Sequence, residues 1–152
     1  MFNDRNRDVK TLNSLITTTI DSALGFERSA EDSSSARFTQ MFREFGSERR
    51  EVVSMLQQQV RALGGTPNDD GSLLADIHRR VVDLRNAISG GDQAVVDEVE
   101  RGEDHIKSKY EEALADNELS PETLAVIRDA FTSVRAGHDR VSAIKHSLQS
   151  EA

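Results

Sequence analysis

The chain contains no cysteine and no tryptophan, and it has only two prolines in 152 residues. The lack of cysteine excludes disulfides, thiol catalysis, thiolate zinc sites and iron–sulfur clusters. Aromatic residues make up only 5% of the chain, which disfavours a site that binds bases or sugars by aromatic stacking. Chemistry in this protein must therefore come from carboxylates, histidines, hydroxyls and basic side chains.

Long apolar runs and basic clusters are missing as well. No segment approaches the roughly 20 apolar residues of a membrane span, and the charged start Met1–Asp8 lacks the apolar region of a signal peptide. Acidic residues outnumber basic ones by 27 to 19, and phosphate groups are repelled by such a surface. We therefore expect a cytoplasmic protein with no membrane partner and no nucleic-acid partner.

The pattern that is present is helical throughout. Apolar residues recur at spacings of three and four, and breaks coincide with Gly64-Gly65, Gly90-Gly91 and Ser120-Pro121. We predict an all-α fold and a single domain over residues 1–152. It has four long helices and a short crossover helix between the second and third, packed as an antiparallel four-helix bundle. The predicted helices span about 8–31, 36–63, 72–89, 92–116 and 120–148.

Several polar residues interrupt the inward-facing apolar stripes. Glu48, Glu103 and His138 each lie three or four residues from apolar neighbours on both sides, so they share the inner face of their helices. Glu100 precedes Glu103 by one turn, and Glu27 lies on the inner edge of the first helix. A buried carboxylate is costly unless it is paired, hydrogen-bonded or bound to metal. These five residues are therefore the candidates for a functional site.

Two interpretations fit those residues. One is a site for one or two iron or manganese ions held by Glu48, Glu100, Glu103, His138 and Glu27, because helical bundles build such sites from carboxylates and histidine. The other is a buried ion-pair network of Glu48, Glu103, His138 and Arg135, with Arg135 as the partner of Glu48. Arg135 stands where a Glu-x-x-His motif would place a carboxylate, and the chain has no Glu-x-x-His motif. The ion-pair network is the preferred interpretation.

Two further features suggest contacts. Gly102 in mid-helix is unfavourable by about 1 kcal/mol relative to alanine, and we expect it to permit the close approach of another helix. The apolar residues of segment 72–89 cover more than a narrow stripe, which favours a homodimer. No sequence feature identifies a different protein partner.

Three motifs resemble a known family. They are Leu63-Gly64-Gly65-Thr66-Pro67, Glu100-Arg101-Gly102-Glu103-Asp104 and His138-Asp139. Together they resemble a bacterial ferritin-like four-helix-bundle family of uncharacterised function, over about Thr11 to Leu148. The resemblance implies a ferritin-like fold and no particular activity.

The two functional hypotheses follow from these observations. The first is a structural or stress-related interaction protein without catalysis. The second is a metalloprotein, with a metal-dependent oxidase as its enzymatic form, which the missing Glu-x-x-His motifs disfavour.

Overall fold

Four α-helices account for most of the chain in the computed structural model, which describes residues 2–33, 35–72 and 92–151. The helices are α1 (Phe2–Asp32), α2 (Ala36–Ala62), α3 (Asp92–Leu114) and α4 (Pro121–Glu151). The described residues contain no β-strand, which agrees with the all-α prediction. The predicted crossover helix at 72–89 lies outside the described residues, apart from Ser72, and so does the apolar face on which the homodimer prediction rests.

The ends of α2 and α4 follow the local sequence signals. Gly64 has a φ of 82°, a left-handed conformation that suits a residue without Cβ. The Gly65 N–H donates to the Val60 carbonyl and the Gly64 N–H to the Arg61 carbonyl, and this bonding pattern closes α2. At the start of α4, Ser120 accepts the Thr123 N–H on its Oγ, 3.3 Å away. The breaks predicted at Gly64-Gly65 and Ser120-Pro121 are therefore both confirmed.

The first helix is longer than the sequence pattern indicated. It begins at Phe2 instead of near Asp8, because no proline or glycine interrupts the polar residues that precede the apolar stripe. The extension gives Asp8 a position inside the helix, and Asp8 is only 1% exposed. Its carboxylate contacts Ser120 and Thr123, so it joins the first turns of α1 to the start of α4.

The helices pack in four pairs, with α1 and α4 each lying against both α2 and α3. Their inner faces form two separate apolar clusters. The larger cluster includes Ile16, Leu56 and Ile127, and the smaller one is rich in phenylalanine, with Phe26, Phe42 and Phe45. On α2, α3 and α4, buried polar side chains lie between the residues of the two clusters: Arg49, Glu103 and His138. This polar layer contains two of the candidate site residues, Glu103 and His138.

Candidate functional site

Arg49 of α2 is the largest fully buried side chain among the described residues, with 2% of its surface exposed. Its Nη2 atom lies 2.6 Å from Oε2 of Glu103 and donates to the Val134 carbonyl at 3.1 Å. Its Nη1 atom donates to Ser22 Oγ at 3.0 Å, and its guanidinium carbon lies 5.3 Å from the centre of the Phe26 ring. One arginine therefore contacts all three other helices.

A glycine on the opposite helix provides the space for this guanidinium. A Cβ atom added to Gly137 of α4 would lie 2.6 Å from Nη2 of Arg49 and 3.6 Å from its guanidinium carbon. Any other residue at 137 would thus require the guanidinium to move. Gly137 immediately precedes His138, so one short stretch of α4 both admits the arginine and supplies the histidine.

Glu103 of α3 is the buried carboxylate of the pair, also 2% exposed. Burial raises the pKa of Glu103 above its ordinary value, because the charged form loses its hydration. Arg49, His138 and a hydrogen bond with Ser22 act in the opposite direction and lower that pKa. The effect of burial is the largest, so the carboxyl holds its proton more strongly than an exposed glutamate.

His138 lies at the edge of the polar layer. Its Nε2 atom is 2.7 Å from Oδ1 of Asp104, and its Nδ1 atom is 3.5 Å from Oδ1 of Asp139. Both aspartates are well exposed, at 65% and 69%. The histidine therefore contacts two carboxylates at the surface.

The remaining candidate glutamates each contact a different basic side chain. The pairs are Glu27 with Arg50, Glu48 with Arg140, and Glu100 with Lys145. Glu100 also accepts a hydrogen bond from Ser142, at 3.2 Å. The structure thus distributes the five candidate metal ligands over separate contacts and does not assemble them into one site.

The pairing of Glu48 with Arg135 proposed from the sequence is wrong. Glu48 is 39% exposed and forms its ion pair with Arg140, whereas Arg135 is exposed. The inward position between Phe45 and Val52 belongs to Arg49 instead. Position 49 lies four residues after Phe45 and three before Val52, so helical spacing alone allows either 48 or 49 to face inward. The buried ion pair exists, with Glu103 as its acid and Arg49 as its base.

The donor set does not fit a metal centre of the expected kind. Among the residues that the structure describes, no three histidine, aspartate or glutamate side chains are placed to hold one ion. Glu103 has the Arg49 guanidinium 2.6 Å away, at the position where a cation would bind it. We therefore derive no chemical step through a metal ion.

Tyr110 lies on the inner face of α3 with no exposed surface. Thr19 donates its hydroxyl to the Leu15 carbonyl at 2.6 Å, so the Tyr110 hydroxyl donates to Thr19 Oγ1 at 2.8 Å. The ring stacks on Phe131 with 5.9 Å between centres. Burial raises the pKa of Tyr110 to about 12. The tyrosine is hydrogen-bonded within the core.

A groove of about 450 Å³ lies beside the polar layer, between α1 and α3. Gly25 and Gly102 both line it, and a Cβ atom added to either would meet no neighbouring atom within 4 Å. The expectation that Gly102 permits close helix contact is therefore wrong, because the glycine borders open space. Sequence spacing does not distinguish these two situations.

Comparison with known protein families assigns the chain to one of them. The model of a domain of unknown function, DUF2383, matches residues 7–116, and the protein belongs to this family. The matched region includes Arg49 and Glu103 but ends before α4, which supplies Gly137 and His138. No curated protein matches the chain. None of the described helices is both long and apolar enough to cross a membrane.

Proposed function

We propose that this member of the DUF2383 family is a non-catalytic helical-bundle protein of ferritin-like architecture. In this proposal it acts in the cytoplasm as a structural or stress-related interaction protein. A buried ion pair lies in the interior of the bundle, the region in which helical metalloproteins build their metal sites. The observation that carries the proposal is the Arg49–Glu103 pair, in which both side chains are 2% exposed.

The direction of the contacts supports the antiparallel arrangement of neighbouring helices. Gln59, near the end of α2, donates to Thr123 near the start of α4, whereas Glu48, earlier on α2, pairs with Arg140, later on α4. Progress along one helix thus runs backward along the other. The contacts between α1 and α3 reverse in the same way. Ferritin-like bundles arrange adjacent helices in this manner.

The chemistry of the pair supports a structural role without metal over a metal-dependent role. A metal ion at Glu103 would have to displace Arg49, and the guanidinium would then be left buried without its acid. Breaking a buried ion pair costs about 3–5 kcal/mol, so metal binding would have to overcome that cost first. Glu27, Glu48 and Glu100 carry their own basic partners and do not converge on Glu103.

Metal content and metal-dependent melting test the proposal directly. Protein purified without chelator should contain well under one iron or manganese per chain by elemental analysis. Added Mn²⁺, or Fe²⁺ under anaerobic conditions, should leave Tm unchanged in the wild type and in Glu103→Gln alike. A ligand that binds only the folded state raises Tm by mass action, so a true site would be visible.

The opposite result has a defined form. Stoichiometric metal, with an increase in Tm that disappears in Glu103→Gln or His138→Ala, would overturn the proposal in favour of a metalloprotein. Glu122→Gln is the control, because Glu122 is exposed in the first turn of α4 and outside the polar layer. A metal effect that survives Glu103→Gln and His138→Ala but not Glu122→Gln would indicate surface binding and would leave the ion-pair core as proposed.

A further inference from the structure

The groove between α1 and α3 has the dimensions of a small-molecule site. Its volume of about 450 Å³ falls within the range of about 300–1,000 Å³ that is usual for ligand pockets. Apolar surface comes from Phe26, Val99 and Ile106, while hydroxyl groups come mainly from α1. Such a mixture of apolar walls and a few polar groups is typical of sites for organic ligands.

One of those hydroxyls lacks a partner. Ser29 lines the groove and has no exposed surface, and its Oγ atom forms no hydrogen bond in the structure. A buried polar group without a partner costs about 1–3 kcal/mol, so a ligand atom that bonds to Ser29 would recover part of that cost. The other groove hydroxyls of α1 already have partners: Thr17 with Asn68, Thr18 with the Ser14 carbonyl, and Ser22 with Arg49.

Two glycines leave space open along the groove. Gly25 and Gly102 lie inside α1 and α3, where glycine lowers helix stability by about 1 kcal/mol relative to alanine. Neither glycine is required by a close neighbour or by a positive φ. Their effect is to leave space that a side chain would fill, which preserves the volume of the groove.

Among the described residues, the charges around the groove sum to zero. Asp21 and Glu103 supply two negative charges, Arg101 supplies one positive charge, and Arg49 neutralises Glu103 from the core side. A ligand with a net charge would disturb this balance and would lose its hydration without a compensating group. An uncharged ligand carries no such penalty.

We propose that this groove binds an uncharged organic molecule that has an apolar body and a hydroxyl or carbonyl group. The body packs against Phe26 and Val99, and the polar group hydrogen-bonds to Ser29, which requires groove side chains to move because the Ser29 hydroxyl has no exposed surface. The proposal is independent of the metal question, because it involves neither Arg49 nor His138 as a ligand-binding group.

Three probes that share one ring system test the class of ligand. They are 2-naphthol, which is neutral at pH 7, the anion 2-naphthalenesulfonate and the cation 2-naphthylmethylammonium. In ¹H–¹⁵N NMR titrations, 2-naphthol should give saturable shifts at the amides of Gly25, Ser29 and Gly102, with Kd of about 1 mM or below. The two charged probes should bind at least about tenfold more weakly.

Substitutions in the groove separate this site from general surface binding. Gly102→Leu fills the groove without a clash at Cβ, so it should remain folded, with higher helix propensity, and weaken 2-naphthol binding by about tenfold or more. Ser29→Ala should weaken binding by about twofold to tenfold, the loss of one hydrogen bond. The matched controls are Ser108→Leu on the exposed face of α3 and Ser54→Ala on α2.

The outcomes are decisive in both directions. Selective 2-naphthol binding that Gly102→Leu removes and Ser108→Leu retains supports the proposal. Absence of saturable shifts at millimolar 2-naphthol overturns it, and so does binding that Gly102→Leu leaves intact. Equal binding of the sulfonate or of the ammonium probe overturns the assignment to uncharged ligands.

Discussion

The guanidinium of Arg49 lies 2.6 Å from the carboxylate of Glu103, and the two residues belong to α2 and α3. The helix pairs that pack along their lengths are α1–α2, α1–α3, α2–α4 and α3–α4, so α2 and α3 are not such a pair. The ion pair thus crosses the interior between two helices on opposite sides of the bundle. Since Arg49 also bonds to Ser22 on α1 and to the Val134 carbonyl on α4, it fixes the relative positions of all four.

The first prediction concerns this pair. Arg49→Met leaves Glu103 buried without its base, and we expect the free energy of unfolding to fall by about 3–5 kcal/mol. Glu103→Gln combined with Arg49→Met should recover much of that loss, because the two charges are then removed together. Urea denaturation of the two single variants and of the double variant gives the coupling energy.

The adjacent residue provides the control. Arg50 forms two hydrogen bonds with Glu27 at 2.9 and 3.1 Å, but both side chains are more than 40% exposed. Exposed pairs contribute about 0.2–1 kcal/mol, so Arg50→Met should have a small effect. If Arg49→Met is no more destabilising than Arg50→Met, the central role of the buried pair is refuted.

The second prediction is the pH dependence caused by Glu103. Burial raises the pKa of Glu103 in the folded state above the ordinary value of 4.5, so between these two values the folded state binds more protons than the unfolded state. The contribution of this group to stability therefore falls as pH rises through that interval. The Glu103→Gln variant has no carboxyl to titrate, so it does not lose this contribution. Its free energy of unfolding relative to that of the wild type should therefore increase from pH 4 to pH 7. A relative stability that decreases over this range would contradict the prediction.

The third prediction uses the single tyrosine of the chain. Burial raises the pKa of Tyr110 from 10.0 to about 12, so its absorbance change near 295 nm should occur close to pH 12 in the folded protein. Below pH 10 the phenol is neutral in both states, and its contribution to stability is complete. Between pH 10 and 12 the tyrosine ionises only in the unfolded chain, so the contribution of Tyr110 to stability is lost as the pH rises. Protein in concentrated urea is the control and should titrate near pH 10; identical titration of the folded protein would show that Tyr110 is exposed.

The sequence predicted the parts of this structure that depend on spacing along the chain. Apolar periodicity predicted the four described helices, and Gly64 and Ser120 marked two of their ends. The same periodicity placed Glu103 and His138 on inner faces, and both side chains are buried. These signals are local, since a helix repeats every 3.6 residues whatever its neighbours are.

Arg49 could not be assigned in the same way. It stands in the charged run Glu48-Arg49-Arg50-Glu51, which has the composition of a surface segment. Its burial depends on two residues far along the chain: Glu103, which supplies the opposite charge, and Gly137, which supplies the space. Such information lies between helices, so a pattern along one helix does not contain it.

The fourth prediction concerns the contact between the start of α1 and the start of α4. Asp8 accepts hydrogen bonds from the Ser120 hydroxyl at 2.5 Å, the Ser120 N–H at 3.2 Å and the Thr123 hydroxyl at 2.8 Å. Asp8→Ala leaves these donors without an acceptor, and we expect a loss of about 1.5–3 kcal/mol in the free energy of unfolding. Asp129→Ala, at an exposed position on α4, should change stability by less than about 0.5 kcal/mol. Equal effects of the two substitutions would contradict the role of Asp8.

The last prediction compares the same substitution at two helical glycines. Gly102→Ala adds a methyl group where no neighbouring atom lies within 4 Å, so the gain in helix propensity should raise the free energy of unfolding by about 0.5–1 kcal/mol. Gly137→Ala adds that methyl group 2.6 Å from Nη2 of Arg49, and the guanidinium must then move away from Glu103. We expect a loss of about 1–3 kcal/mol there despite the same propensity gain. In the background of Arg49→Met the clash is absent, so Gly137→Ala should become neutral or stabilising. A destabilising effect of Gly137→Ala that persists in that background would mean that the glycine serves a contact other than the one with Arg49.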